Sequence, residues 1–315
     1  MSSMYITPGD LKTIAQDGEV TAVELLNLVN ARLNGSGSPD NAVEGWTTPF
    51  VDLMQYSFAE TAPIMMTAPA EGATSVTLKA GTLKSADGNY SLSLTTASAS
   101  STETPNTTGA TFSDSAALKF SLTAPNGVTF SIDFSDSDSS TWTQTTGAFS
   151  GSGKDSLTLS FKDTKGTTQA TDDISIVSTY TTSFTFSNNL VAVTDTRTYN
   201  YLGNGFTINQ KDQAITATRN YKDTDGNGIP EFISGTWNQT KGNYNYKNIS
   251  NGIEISFDGV GTGNENPINT FTGTAEYRNV NIVSPLGKIS TTKGQCTVMP
   301  HQKIDDWAIF LTWYS

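Results

Sequence analysis

The sequence predicts a mainly β protein: antiparallel β-sandwich units behind a short N-terminal helical hairpin. Three observations predict it. From about residue 72 onward, apolar and small polar residues alternate with a period of two, the mark of strands with one buried and one wet face. Turn signals at Asp87-Gly88, at Pro125-Asn-Gly127 and in the Gly/Ser stretch 151–153 separate the alternating segments. Helical spacing of apolar residues is confined to roughly the first 35 residues.

Taken in order, Thr7-Pro8 starts a first helix, with proline where a missing N–H costs nothing. Thr21 and Glu24 form a capping box for a second helix, and Ala22, Leu25, Leu26, Val29 and Leu33 make its single apolar stripe. The run Asn34-Gly-Ser-Gly-Ser-Pro39 ends that helix and reads as a linker. Residues 40–70 leave two readings open. Trp46, Phe50, Val51, Leu53, Met54 and Phe58 suit a short amphipathic helix or irregular packing, and 62–69 suits an extended crossing. Strands follow at 75–79, 90–94, 118–122, 128–134 and 157–161.

Near residue 188 a Ser/Thr/Ala-rich composition gives way to Asn, Tyr and Gly. Further strands are expected at 190–202, 205–221, 231–239, 252–258, 270–284, 288–298 and 306–314. The organisation expected is a helical hairpin over 1–36, a linker over 37–71, and two β-domains over 72–187 and 188–315. The last strand, from Trp307 to Tyr314, is apolar on both faces, as in a central strand or one completing a neighbour's sheet.

Of the 315 residues, 36% are apolar and only 15% charged, so solubility rests on Ser, Thr, Asn and Gly, as in many extracellular β-proteins. With 15 Phe, 11 Tyr and 5 Trp the chain is too aromatic to be disordered. A net charge of −12 repels phosphate, which excludes nucleic acid and anionic membrane surfaces and leaves cations and neutral sugars. The single cysteine, Cys296, allows no intrachain disulfide. The N-terminus lacks the basic and apolar regions of a secretory signal, and no apolar stretch is long enough for a transmembrane helix.

The densest chemistry is Asp223-Thr-Asp-Gly-Asn-Gly-Ile-Pro-Glu231, placed between two expected strands as the loop of a hairpin. Side-chain oxygens alternate at Asp223, Asp225, Asn227 and Glu231, and the Ile229 carbonyl fills the remaining gap. A hard cation such as Ca²⁺ takes six to eight such oxygens, and Gly226 and Gly228 let the backbone curl around it. The bland reading is a polar Asp-Gly/Asn-Gly turn. The loop resembles the first half of EF-hand and dockerin calcium loops, and more closely the strand-to-strand calcium loop of FG-GAP repeats. The resemblance covers these nine residues in one copy and implies a Ca²⁺ site; Ser234 stands where an EF-hand has its bidentate Glu.

A second segment, Asp17-Gly-Glu-Val-Thr-Ala-Val-Glu24, is similar to the end of an EF-hand loop, but Ala15 occupies an earlier ligand place, and a turn plus a capping box accounts for the same residues. Asp133, Asp136 and Asp138 read as a solvated loop able at most to bind a weak surface cation. Catalytic arrangements are missing: His301 is the sole histidine, and no Ser-centred elbow or phosphate-cradling loop occurs. Tyr199 with Tyr201, and Tyr244 with Tyr246, share sheet faces near Trp237, suiting either sugar stacking or cross-strand packing. The C-terminus also loosely resembles the export signals of bacterial type I secretion substrates.

These features point to a secreted, cell-surface structural protein that self-assembles as a surface-layer, filament or matrix subunit stabilised by calcium, and not to an enzyme. The alternatives are a calcium-dependent carbohydrate-binding adhesin, a phage or virion structural protein, and a carboxylate-based glycoside hydrolase.

Overall fold

Both helices start where the sequence predicts. The computed structural model describes residues 6–34, 64–65, 73–169, 172–188, 190–203, 205–222, 224, 231–265 and 270–302. Thr7 caps α1 (Pro8–Ile14): the Asp10 N–H donates to its Oγ1 at 3.1 Å, and the Thr7 N–H donates to Asp10 Oδ2 at 2.8 Å. Thr21 and Glu24 repeat the arrangement at α2 (Ala22–Asn34), at 3.2 and 2.7 Å. Each box satisfies donors that have no intrahelical partner. Between the helices β1 (Glu19–Val20) pairs with β2 (Ile64–Met65). Ala22, Leu25, Leu26 and Val29 are fully buried, as expected of the stripe; the side chain of Leu33 lies outside the described residues.

The remaining strands are β3 (Ser75–Thr77), β4 (Gly81–Lys84), β5 (Ser91–Asn106), β6 (Gly109–Thr123), β7 (Thr129–Thr143), β8 (Ala148–Asp163), β9 (Ile174–Ser187), β10 (Leu190–Gly203), β11 (Phe206–Lys222), β12 (Glu231–Asn248), β13 (Glu254–Glu265), β14 (Thr270–Ser284) and β15 (Gly287–Gln302). From β5 onward each strand pairs antiparallel with the next in chain order, while β3 and β4 both pair with the outer side of β5. The mainly β, antiparallel class with N-terminal helices is the one the sequence predicts. The strands form one continuous sheet of 13 strands, which runs through residue 188 by the pairing of β9 with β10. The expected strand 306–314 and the segment 40–63 lie outside the described residues.

The strands are longer than their apolar segments. β5 and β8 each have 16 residues, about 50 Å of chain, because Ser and Thr continue the pairing after the large apolar residues stop. Two local expectations are corrected. Residues 151–153 are not a turn but the interior of β8, and 133–138 are not a loop but part of β7. In both places the tight hairpin at 144–147, which sets Thr143 opposite Ala148, fixes the register of β7 with β8.

The apolar core sits at one end. Leu11, Leu25, Leu26 and Val29 of the helices pack with residues of the sheet such as Leu92, Leu118, Phe120 and Ile132, and the cluster ends at Leu159 on β8. Among the described residues past β8, only Val193 and Ala217 are fully buried apolar side chains. There the same face is covered by its own aromatic rings, laid over glycines of neighbouring strands. A methyl group at position 153 would stand 2.4 Å from Phe184 Cζ, one at 261 would stand 2.8 Å from the Trp237 ring, and one at 259 would stand 2.8 Å from the Tyr244 ring. A glycine leaves a flat site on which a ring buries one face and shields the backbone.

Gly151 tests this. An added Cβ would lie 2.3 Å from Ser139 O and 2.6 Å from Phe186 Cζ. Gly151→Ala is therefore expected to destabilise the protein by about 1–3 kcal/mol through overpacking, read as a lower urea midpoint with an unchanged m-value.

Candidate functional site

The expected calcium loop joins adjacent antiparallel strands. β11 and β12 pair down to Lys222 opposite Glu231, next to a bulge at Asn220/Tyr221. Asp223, Asp225, Asn227 and Ile229, and the side chain of Glu231, lie outside the described residues. Among the described residues no group of three or more His, Cys, Asp or Glu side chains is arranged to hold a metal ion.

The segment 17–24 has the geometry of a turn and a cap. The Glu19 N–H donates to Asp17 Oδ1 at 3.0 Å, Gly18 takes φ 87°, and Glu24 Oε2 accepts from both the N–H and the hydroxyl of Thr21.

The acidic residues near 136 form a different site from the one expected. Asp133 points away from the core and pairs with Lys119 across the strand, whereas Asp136 lies on the core face and is only 6% exposed. The register places Asp136 (β7), Asp155 (β8), Thr182 (β9) and Asp195 (β10) in one row across the sheet, and Asp114 opposite Asp138 one step along. All four members of the first row are buried. Asp195 is satisfied: the Thr182 hydroxyl and Tyr180 OH, the latter at 3.2 Å, both donate to its Oδ1, and Arg197 Nη2 lies 3.9 Å from Oδ2. The Arg197 guanidinium is 5.3 Å from the centre of the Tyr180 ring, a cation–π contact.

Asp136 and Asp155 meet with no base between them, and Asp136 Oδ2 has no hydrogen-bond donor. Burial, then a hydrogen bond to Asp155, then the charges of Asp155 and Asp114, push the Asp136 carboxyl up to about 8. Burial raises Asp155 as well, and burial with the charges of Asp114 and Asp136 pushes Asp138 up to about 6. The pair shares one proton, because two adjacent buried carboxylates cannot both ionise. The signal was present in the sequence: Asp136 and Asp138 continue the parity of Phe130, Ile132 and Phe134, and Asp155 that of Leu157 and Leu159.

The tyrosine rows are arranged as cross-strand packing. Tyr244 stacks on Phe257 at 4.8 Å and 20°, Phe257 meets Tyr277 edge-on at 5.1 Å, and Tyr246 lies 5.6 Å from Phe206. Burial, with a smaller effect from Tyr201, pushes the Tyr199 phenol up to about 12. His301 lies in β15 opposite Phe271, and its side chain is outside the described residues. No helix among the described residues is long and apolar enough to cross a membrane. No protein-family model matches the chain, and no curated protein is detectably similar to it.

The carboxyl row makes stability depend on pH in a defined direction. Asp136 and Asp138 bind protons more tightly folded than unfolded, so their contribution is complete below about pH 4 and is lost as pH rises through about 6 and then about 8. Asp87 and Asp163, whose carboxyls are lowered, act in the opposite sense and only at more acidic pH. The melting temperature is expected to fall between about pH 5 and pH 8.5, and Asp136→Asn, neutral throughout, to flatten that slope in a pH series of thermal melts.

Proposed function

We propose that this chain is an extracellular structural subunit that joins copies of itself through its sheet edge and is stapled by calcium at the β11–β12 hairpin. The observation that carries the reading is the asymmetry of the two edges. At one edge β3 and β4 have only 3 and 4 residues, and the stretch of β5 beyond them contains Glu103 and Pro105. Short strands, a charge and a proline are the devices that stop strand addition. At the other edge β15 runs for 16 residues, with no described strand on its outer side. A long row of unpaired N–H and C=O groups is a template for another strand. The low charge density and the Ser/Thr/Asn-rich surface suit a protein packed in a lattice or matrix outside the cell.

Calcium enters through the alternating oxygens of 223–231, which close a hairpin between two long strands. A cation at a concentration 100-fold above its dissociation constant adds about 2.7 kcal/mol to the folded state. For a chain of this size that is a rise of about 4 °C in melting temperature. Asp225→Ala is expected to abolish the difference between calcium and chelator; an identical melting temperature in both buffers for the unaltered protein would remove calcium from the reading.

Assembly is tested separately, by light scattering and negative-stain microscopy of the purified protein with and without calcium. Oligomers, sheets or fibres are expected. A strictly monomeric species across concentrations in both buffers would overturn edge-to-edge assembly.

A further inference from the structure

The sheet face opposite the core carries a feature that assembly does not use: an open trough of about 560 Å³ across β10–β14. Its floor is the sheet itself, and its walls are two rows of short polar side chains. One row runs through Asn200, Asn209, Asn245, Ser256 and Asn281, which are register partners on five successive strands. The other runs through Thr198, Lys211, Asn243 and Asp258. Bulges at Asp195/Arg197 and at Gln239/Gly242 fall at one level of the sheet, and a third at Ser256/Asp258 lies beside the trough. Bulges bend strands and raise their twist, which is how a sheet becomes concave.

The amides are held in one orientation. Asn243 Nδ2 donates to Asp258 Oδ1 and Asn279 Nδ2 to Asp258 Oδ2, each at 2.7 Å. A carboxylate only accepts, so both amides must turn their NH₂ groups towards it, leaving their carbonyl oxygens as acceptors. Asn279 reaches Asp258 because it is the bulged residue of β14, with φ 54°, a conformation Asn tolerates better than most residues. Asn245 Nδ2 donates to Glu254 Oε1, and Asn281 Nδ2 to the Asn279 carbonyl, both at 2.7 Å. Asn200 and Asn209 differ. They are exposed, lie directly opposite one another, and have no side-chain hydrogen bond among the described residues. On the reverse of the floor the stacked rings of Tyr244 and Phe257 stiffen it.

The chemistry of the lining narrows the ligand. A single lysine beside a carboxylate, on a chain of net charge −12, does not attract an anion. The described residues hold no metal-binding group, and amide-lined walls offer an apolar ligand nothing. Fixed amide carbonyls, hydroxyls at Thr198 and Ser256, and two free amides complement a partner whose groups both donate and accept. Neutral sugar hydroxyls are such groups. The rows cross five strands at about 4.8 Å per step, a length of about 19 Å, which accommodates a few pyranose rings in line. From the paired amide rows Asn200–Asn209–Asn245 and Asn243–Asp258–Asn279 on one concave face, we propose that this trough binds a neutral, linear glycan lying across β10–β14. This site is on the opposite face from the tyrosine rows, and its occupancy does not depend on assembly.

The test is an array of neutral and polyanionic polysaccharides of varied linkage, probed with the full chain and followed by calorimetry on the best neutral oligosaccharide. Retention of at least one neutral glycan is expected. Asn200→Ala/Asn209→Ala should weaken binding about tenfold or more while leaving the melting temperature unchanged, because both residues are exposed. Asp258→Asn, which frees the Asn243 and Asn279 amides to rotate, should weaken binding several-fold. Retention of no neutral glycan, retention of polyanions alone, or equal affinity in all three proteins would overturn the proposal.

Discussion

The constraint behind most of this structure is that a very wide sheet has a face to bury and little apolar material to bury it with. Two short helices cover only the first strands, and their Leu25, Leu26 and Val29 belong to one buried cluster with Leu118, Phe120 and Ile132. Among the described residues no second layer packs on the strands after β8. Their solution is to fold side chains down instead of stacking elements. Phe184, Phe186, Trp237 and Tyr244 lie over Gly153, Gly151, Gly261 and Gly259, each ring burying one face at the cost of one side chain on the neighbouring strand. The remaining strength of the sheet comes from continuous backbone pairing, which unlike a core does not require large residues.

The same shortage explains why polar groups occupy the core face. Where the leucine and phenylalanine rows end, Asp136, Asp155, Thr182 and Asp195 continue them across four strands. Asp195 is fully partnered by a hydroxyl, a phenol and a nearby guanidinium. Asp136 and Asp155 have only each other, and so keep a proton that a carboxyl in water would have lost. On the other face, where no covering is needed, the strands carry amides and hydroxyls, and bulges shape them into a trough.

Much of the fold was legible because a period of two is a strong signal. Most of the long strands contain the segments that alternation predicts, and Thr7-Pro8 and the Thr21/Glu24 box mark the helix starts; β1, β4 and β9 lie outside the expected segments. The misreadings have a common cause. The Gly/Ser stretch at 151–153 and the Asp/Ser run at 133–138 have turn-like composition, yet lie inside strands because their partners on β7, β8 and β9 hold them in register. Glycine there answers a ring on the next strand, a contact that sequence spacing does not display. The aspartates, by contrast, were readable from parity once the strand was extended far enough.

Taken alone, the sequence determined the class of fold, the helix starts, the position of most of the long strands and the alternating oxygens of 223–231, because each depends on residues within a turn or two of one another. Only the tertiary structure decided that the strands join into one meander, which carboxyls share a proton, which glycines receive rings, and which amides line up across five strands. Those outcomes depend on register between segments tens of residues apart, and a shift of one residue would turn every such side chain to the opposite face.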